Sequence, residues 1–232
     1  MTGRMIEFDS NGSAAPGYLA TPESGAGPGV VVLHEWWGLT EPFRDVCDKL
    51  AESGFVALAP DLYRGKTTDS VEEAEAWSAA LDQKAEQWRG DIAGALQFLR
   101  QNGATIPADS RGAFGLLAFS LGGAYALDMS VTAPDEVAAV VSYYATYPGL
   151  DYNRAKAAYL FHFAEHDRYE SVEAAARMEQ ELTSAGRLVT VYTYPGTRHG
   201  FVGFNHPDAY DADATALAWE RTLAFLDAEL RR

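Results

Sequence analysis

The sequence predicts an α/β fold, a mostly parallel sheet of about eight strands with helices on both faces. Three observations carry this. Short all-apolar runs, such as GVVVL over 29–33 and FVALA over 55–59, have the composition of strands buried on both faces. They alternate with longer segments whose apolar residues recur at helical spacing, as Ile92, Leu96 and Leu99 do. The chain has 232 residues, 47% hydrophobic and 22% charged, which suits a globular core and not a disordered chain.

The elements follow in order. Residues 6–8 and 18–20 are short candidate strands, joined by a turn-rich stretch over 10–17. The run SGAGPG over 24–29 lacks the lysine and Ser/Thr of a phosphate-binding loop and reads as a turn. After the strand at 29–33, the spacing predicts a helix over 41–53. Val46, Cys47 and Leu50 lie on its apolar side, and Gly54 ends it. Pro60 stops the strand at 55–59, and 61–70 is a polar loop. Helices are expected over 70–81 and 84–101, then a strand over 112–119 and a helix over 121–131 that opens near two glycines. Strands at 137–144 and 158–164, a helix over 171–185 closed by Gly186, a strand at 188–194 and a terminal helix over 211–230 complete the pattern. No repeat or composition break marks a linker, so residues 1–232 are expected to form one domain. The stretch 62–88 is longer than a tight βα connection needs and is a candidate small cap over the site.

Composition narrows the function. A single cysteine, Cys47, excludes an internal disulfide and any zinc site built from several thiolates. Acidic residues outnumber basic ones 33 to 18, for a net charge of −15. Such a field repels phosphate backbones and anionic membranes, so neither nucleic acid nor membrane is an expected partner. No apolar run approaches the roughly 20 residues of a membrane span. The opening MTGRMIEFDS has no signal-peptide pattern. The expectation is a cytoplasmic protein, monomeric or weakly dimeric, with a small-molecule substrate.

The segment Ala118-Phe119-Ser120-Leu121-Gly122-Gly123 lies between a buried strand and a helix. A sharp strand-to-helix turn of this kind holds a serine in a strained backbone position with its hydroxyl exposed, and small neighbours let the turn close. The plainer alternative is a tight turn with a capping serine. A hydroxyl needs a base to become a nucleophile. On sheets of this type the acid and then the base follow the serine in the chain. His199, in the loop after the strand at 188–194, fits the base, and Asp167, just after the strand at 158–164, fits the acid. Of the five histidines, His162 sits in an apolar strand and suits a core role. His166 is the rival of Asp167, and His206 is expected near the surface. No HExxH motif occurs, so no metal and no cofactor is expected. Leu33-His34-Glu35-Trp36-Trp37-Gly38 follows the first buried strand, where an oxyanion donor arises in such folds. The Trp36 N–H paired with the Leu121 N–H could form that hole. The adjacent tryptophans suit the wall of an apolar pocket.

Together these residues resemble the dienelactone hydrolase family of α/β-hydrolases. The resemblance rests on His34-Glu35-Trp36-Trp37-Gly38, Pro60-Asp61-Leu62-Tyr63, Phe119-Ser120-Leu121-Gly122-Gly123, Asp167 and His199-Gly200-Phe201, which run in the family's order over nearly the whole chain. The family's best-known members carry cysteine at the elbow, where this chain has Ser120. In them a glutamate equivalent to Glu35 helps control the thiol. Here Glu35 is expected to hydrogen-bond Ser120 or to orient the oxyanion turn. The family's members also grip a substrate carboxylate with arginines. This chain has Gly200-Phe201-Val202-Gly203-Phe204 beyond the histidine, and no arginine between Gly65 and Trp88. Dienelactone itself is therefore disfavoured as substrate. Trp36, Trp37, Tyr63, Tyr143, Tyr144, Phe201 and Phe204 suggest instead a pocket for a neutral or aryl ester or lactone.

The sequence thus reads as a serine carboxylic-ester hydrolase with Ser120, His199 and Asp167 as triad. Thioester, amide or acyl-transfer chemistry on the same residues is an alternative, and a non-catalytic ligand-binding relative is another. A structural or interaction protein is disfavoured, because repeats, heptads and low-complexity tails are missing.

Overall fold

The computed structural model describes residues 3–106 and 113–231. Nine strands and six helices occur among them, an α/β architecture. The chain divides into two compact units, Met1–Ile106 and Pro107–Arg232.

The first unit opens with a hairpin, β1 (Arg4–Ser10) and β2 (Ser13–Ala20). Both strands are longer than the sequence reading made them, and part of the expected loop over 10–17 is strand. The reason is Asn11-Gly12, which take φ of 52° and 80°. Two consecutive residues in that region make the tight turn whose twist matches paired strands, so Ser10 and Ser13 register directly. Strand β3 (Gly27–Leu33) begins two residues earlier than expected, is buried throughout, and lies parallel to β4 (Val56–Pro60). A two-residue strand, β5 (Ala104–Thr105), pairs with β3 where the sequence pattern gives no strand. Helix α1 (Glu41–Glu52) buries Phe43, Val46, Cys47 and Leu50, and Gly54 follows it at φ 85°. Each such side chain contributes roughly 1.5–3 kcal/mol on leaving water. Burial pushes the Cys47 thiol far up, so it is inert as a nucleophile. Helix α2 (Val71–Asp82) buries only Ala74 and Leu81, and its N-cap Ser70 accepts from the Glu73 N–H. Helix α3 (Ala85–Gln101) buries Ile92, Leu96 and Leu99, as the spacing predicts.

The second unit is built on four parallel strands. They are β6 (Phe114–Phe119), β7 (Val137–Tyr143), β8 (Ala158–His166) and β9 (Val189–Arg198), paired in that order. Gly112, the expected start of the first of these, lies outside the described residues. Helices α4 (Leu121–Thr132), α5 (Val172–Ser184) and α6 (Ala212–Leu230) lie between and after them. Ser171 and Asp211 cap α5 and α6 by accepting from the Ala174 and Ala214 N–H groups. Parallel strands bring their C-terminal ends to one edge. Phe119 registers with Tyr143, Tyr143 with His162, and His162 with Tyr192. Strands β8 and β9 both run beyond their expected ends at Ala164 and Tyr194. The ladder shifts between Ala164 and His166 and resumes with His166 opposite Arg198. Gly196, at φ 74°, donates its N–H to Glu165 Oε2 at 2.7 Å across this irregularity. That extension carries Asp167 and His199 out past the sheet, side by side.

Candidate active site

Ser120 follows β6 and stands at the N-cap position of α4, without a side-chain capping bond, with φ 48° and ψ −117°. A serine in this region is strained by the order of 1–3 kcal/mol, and such strain persists only where its surroundings enforce it. Here the Ser120 N–H donates to Tyr143 O at 3.0 Å and the Gly123 N–H donates to Ser120 O at 2.7 Å. Gly123 is required by close approach. A Cβ there would lie 2.4 Å from Ala145 Cβ and 2.8 Å from Ser142 Oγ. The turn can therefore close only with a glycine at that place, and it leaves Ser120 half-buried at the N-terminal end of α4. The Leu121 N–H stands in the first turn of that helix, where backbone donors and the helix dipole favour negative charge.

The Ser120 Oγ lies 3.1 Å from His199 Nε2, and His199 Nδ1 lies 2.7 Å from Asp167 Oδ2. A carboxylate only accepts, so Nδ1 carries the proton and Nε2 is left to accept from the serine hydroxyl. The other Asp167 oxygen, Oδ1, accepts the N–H groups of Tyr169 at 2.8 Å and Glu170 at 3.0 Å. The carboxylate is thus fixed at both oxygens. Gly200, at φ 78°, follows the histidine, and a Cβ there would meet the His206 ring at 2.5 Å. His206 is half-buried, and His166 is exposed beside Glu165.

The aromatic residues that the sequence suggests for a pocket are placed differently from one another. Tyr143, Tyr144 and Phe201 are buried to 1% exposure or less. They form core packing rather than an open wall, with Tyr144 against His199 and Tyr143 against His162 at 4.4 Å. Tyr144 lies with its ring centroid 4.6 Å from that of His199, Phe201 is 5.8 Å from Tyr144, and Tyr143 stacks on Phe119 at 4.7 Å. The Tyr143 hydroxyl is bonded to Thr222 Oγ1 at 2.8 Å, turned into the core. Phe204 is half-exposed and meets Phe119 edge-on at 5.0 Å. Two residues that sequence reasoning did not single out also surround His199: Tyr169, edge-on at 4.7 Å, and Glu170, whose carboxyl is bonded to Thr146.

The remaining sequence-derived positions belong to the first unit. His34 is fully buried; its Nδ1–H donates to Glu35 O at 2.6 Å, and its Nε2 accepts from the Leu62 N–H at 3.2 Å. Burial holds its pKa below the ordinary value, so the ring stays neutral and ties the turn after β3 to the loop after β4. That loop is ordered by Asp61, whose carboxylate accepts the Tyr63 and Gly65 N–H groups at 3.1 and 2.6 Å. Glu35 is buried to 1% exposure and Trp37 to 4%, while Trp36 is half-buried and meets Trp37 edge-on at 5.3 Å. Tyr63 packs on His34 at 5.4 Å and on Trp77 at 5.6 Å. Arg64, the guanidinium nearest the motif, is paired with Asp91.

Among the described residues, no group of three or more His, Cys, Asp or Glu side chains could hold a metal ion, and no helix is long and apolar enough to cross a membrane.

The dienelactone hydrolase family matches residues 15–230 of the chain. A relative named Protein usf, from Aquifex pyrophilus, is 32% identical over 96% of this chain and 97% of its own. The carboxymethylenebutenolidase of Pseudomonas putida is 30% identical over 90% of this chain and 89% of its own. Among solved structures, a dienelactone hydrolase-like promiscuous phosphotriesterase from metagenomic libraries superposes with a TM-score of 0.86. It is 22% identical, and the match covers 99% of this chain and 98% of that one. At that identity the likeness speaks to the fold alone.

Proposed function

This chain belongs to the dienelactone hydrolase family, α/β-hydrolases that act on carboxylic esters, and we propose that it hydrolyses a neutral or aryl ester or lactone through an acyl-enzyme on Ser120. The observation that carries this reading is the unbroken line of bonds from Asp167 through His199 to a serine in a strained turn.

In this reading His199 Nε2 takes the hydroxyl proton as Ser120 Oγ attacks the ester carbonyl. Asp167 stabilises the imidazolium that forms and keeps the ring in the tautomer that accepts at Nε2. The Leu121 N–H, at the start of α4, donates to the developing oxyanion. The imidazolium then gives its proton to the leaving alkoxide, and the acyl group stays on Ser120. Water, deprotonated by the same nitrogen, attacks the acyl-enzyme; the acyl–Oγ bond breaks, the imidazolium returns the proton to Ser120 Oγ, and the acid is released. In a lactone the alcohol and acid remain one molecule.

The half-exposed Phe204 and Tyr169 favour an aryl or apolar acyl portion over an anionic one. The test combines short chromogenic aryl esters with a fluorophosphonate probe mapped by mass spectrometry. The reading expects turnover and a label on Ser120, both abolished in Ser120→Ala. A folded protein with neither turnover nor label would overturn it.

A further inference from the structure

The inference rests on the reading of Ser120, His199 and Asp167 as a working triad. The His199 ring is bracketed by two tyrosines. Tyr144 is the first residue after β7, and Tyr169 lies in the loop after β8, with ring centroids 4.6 and 4.7 Å from that of the histidine. Neither sits in a helix or strand. Tyr144 takes φ 40°, a strained value for a bulky side chain, and Tyr169 is 47% exposed. Each loop is tied back to the neighbouring structure, the Tyr144 N–H to His162 O at 2.8 Å and the Tyr169 N–H to Asp167 Oδ1 at 2.8 Å, and an aromatic contact adds about 0.5–1.5 kcal/mol beyond its burial.

One bond joins the two loops directly. Thr146 Oγ1 donates to Glu170 Oε2 at 2.6 Å, although 24 residues separate them in sequence. Glu170 is anchored on its other side too, because its own N–H donates to Asp167 Oδ1 at 3.0 Å. Residues 144–146 and 167–170 therefore form a closed circuit around the imidazole.

We propose that Glu170 is a positioning residue of the reaction: its bond to Thr146 clasps the loop after β7 to the loop after β8, so that Tyr144 and Tyr169 hold the His199 ring with Nε2 on Ser120. The carboxyl acts as a hydrogen-bond acceptor here, and its charge is secondary. Burial of this carboxyl already pushes it toward the neutral form, with the nearby Asp167 adding to the shift.

The test is steady-state hydrolysis of a chromogenic aryl ester by the full chain and by Thr146→Val, Glu170→Ala, the double variant and Glu170→Gln. Thermal melts and fluorophosphonate labelling accompany each. A one-ångström misplacement can cost a hundredfold, so a loosened ring is expected to lower kcat by about tenfold in each of the first two, with KM within about twofold. The double variant should be no slower than the slower single variant. Glu170→Gln keeps the acceptor and should recover most of the kcat lost in Glu170→Ala. Independent, multiplying losses would overturn the clasp. So would Glu170→Gln as slow as Glu170→Ala beside an unaffected Thr146→Val, which would make the charge the active feature. A rise in KM at constant kcat would make Glu170 part of a substrate wall and also overturn it. Wild type that takes no label on Ser120 would remove the triad and the clasp with it; labelled wild type with uncoupled variants would remove the clasp alone.

Discussion

His162 and His199 belong to adjoining strands, the first inside β8 and the second just past β9, and each ring is bonded at both nitrogens. Their partners differ. His162 meets the Tyr194 hydroxyl at Nδ1, 2.8 Å away, and the Thr222 hydroxyl at Nε2, 3.1 Å away. His199 meets a carboxylate and a serine. His162 is fully buried among neutral partners, so desolvation, aided by the nearby Arg221 charge, drives its pKa down to about 3. Such a ring can be a hydrogen-bonding block in the core but never a base at neutral pH. Burial and two hydrogen bonds therefore do not by themselves set a histidine up as a base. What His199 has in addition is a carboxylate at one nitrogen and a serine hydroxyl in a strained turn at the other.

The sharpest way to break the comparison is to remove each ring. His199→Ala should lower kcat by about 10⁴- to 10⁶-fold while leaving the melting temperature nearly unchanged. Equal activity in the variant, measured with an aryl ester, would disprove the assignment. Asp167→Asn comes next, and its geometry can be worked out in advance. The Tyr169 and Glu170 N–H groups both point at Oδ1, so that position must remain oxygen. The amide NH₂ then faces His199 Nδ1, which must accept, and the ring proton moves to Nε2, against Ser120. A loss of about 10⁴ in kcat is expected from this wrong tautomer. A proton NMR signal from a ring N–H shifting from Nδ1 to Nε2 in the variant would check the cause, and an unchanged Nδ1–H would refute it.

Much of this was legible in the chain. The buried strands and the helical spacing announce the fold, and the meeting of Ser120, Asp167 and His199 is foreshadowed by their places after successive strand ends. Asn11-Gly12 is a turn signal in the sequence as well, yet Pro16 and the small residues around it look like loop and hide the full length of the strands on each side. What could not be read depends on contacts distant in sequence. β5 is two residues whose only reason to be a strand is β3. The continuation of β9 through Pro195 and Gly196 depends on Glu165. The bond between Thr146 and Glu170 has no local pattern at all. Aromaticity alone groups Tyr143, Tyr144 and Phe201 with a pocket, and only burial separates a ring packed in the core from one open to solvent.

The smaller predictions concern His162. His162→Leu at pH 7 should leave activity within about threefold and cost about 2–3 kcal/mol of stability, because the Tyr194 and Thr222 hydroxyls lose a buried partner. Urea unfolding would measure it, and a loss below about 0.5 kcal/mol would mean that water or a rearranged neighbour replaces the ring. The pH dependence of that difference is the finer test. The folded-state pKa of His162 lies at about 3, below the ordinary 6.5 of the unfolded chain. Between those values the unfolded chain holds a proton that the folded protein lacks, so this ring makes stability fall as pH drops through the window, by up to about 1.4 kcal/mol per pH unit. Above pH 6.5 both states are neutral at this site and the contribution is flat. His162→Leu removes the linkage. The stability advantage of the wild type should therefore shrink from pH 7 to pH 4 and can reverse sign there. A constant difference between the two pH values would show that the ring accepts a proton in the folded core, and the contrast with His199 would then rest on access to the serine alone.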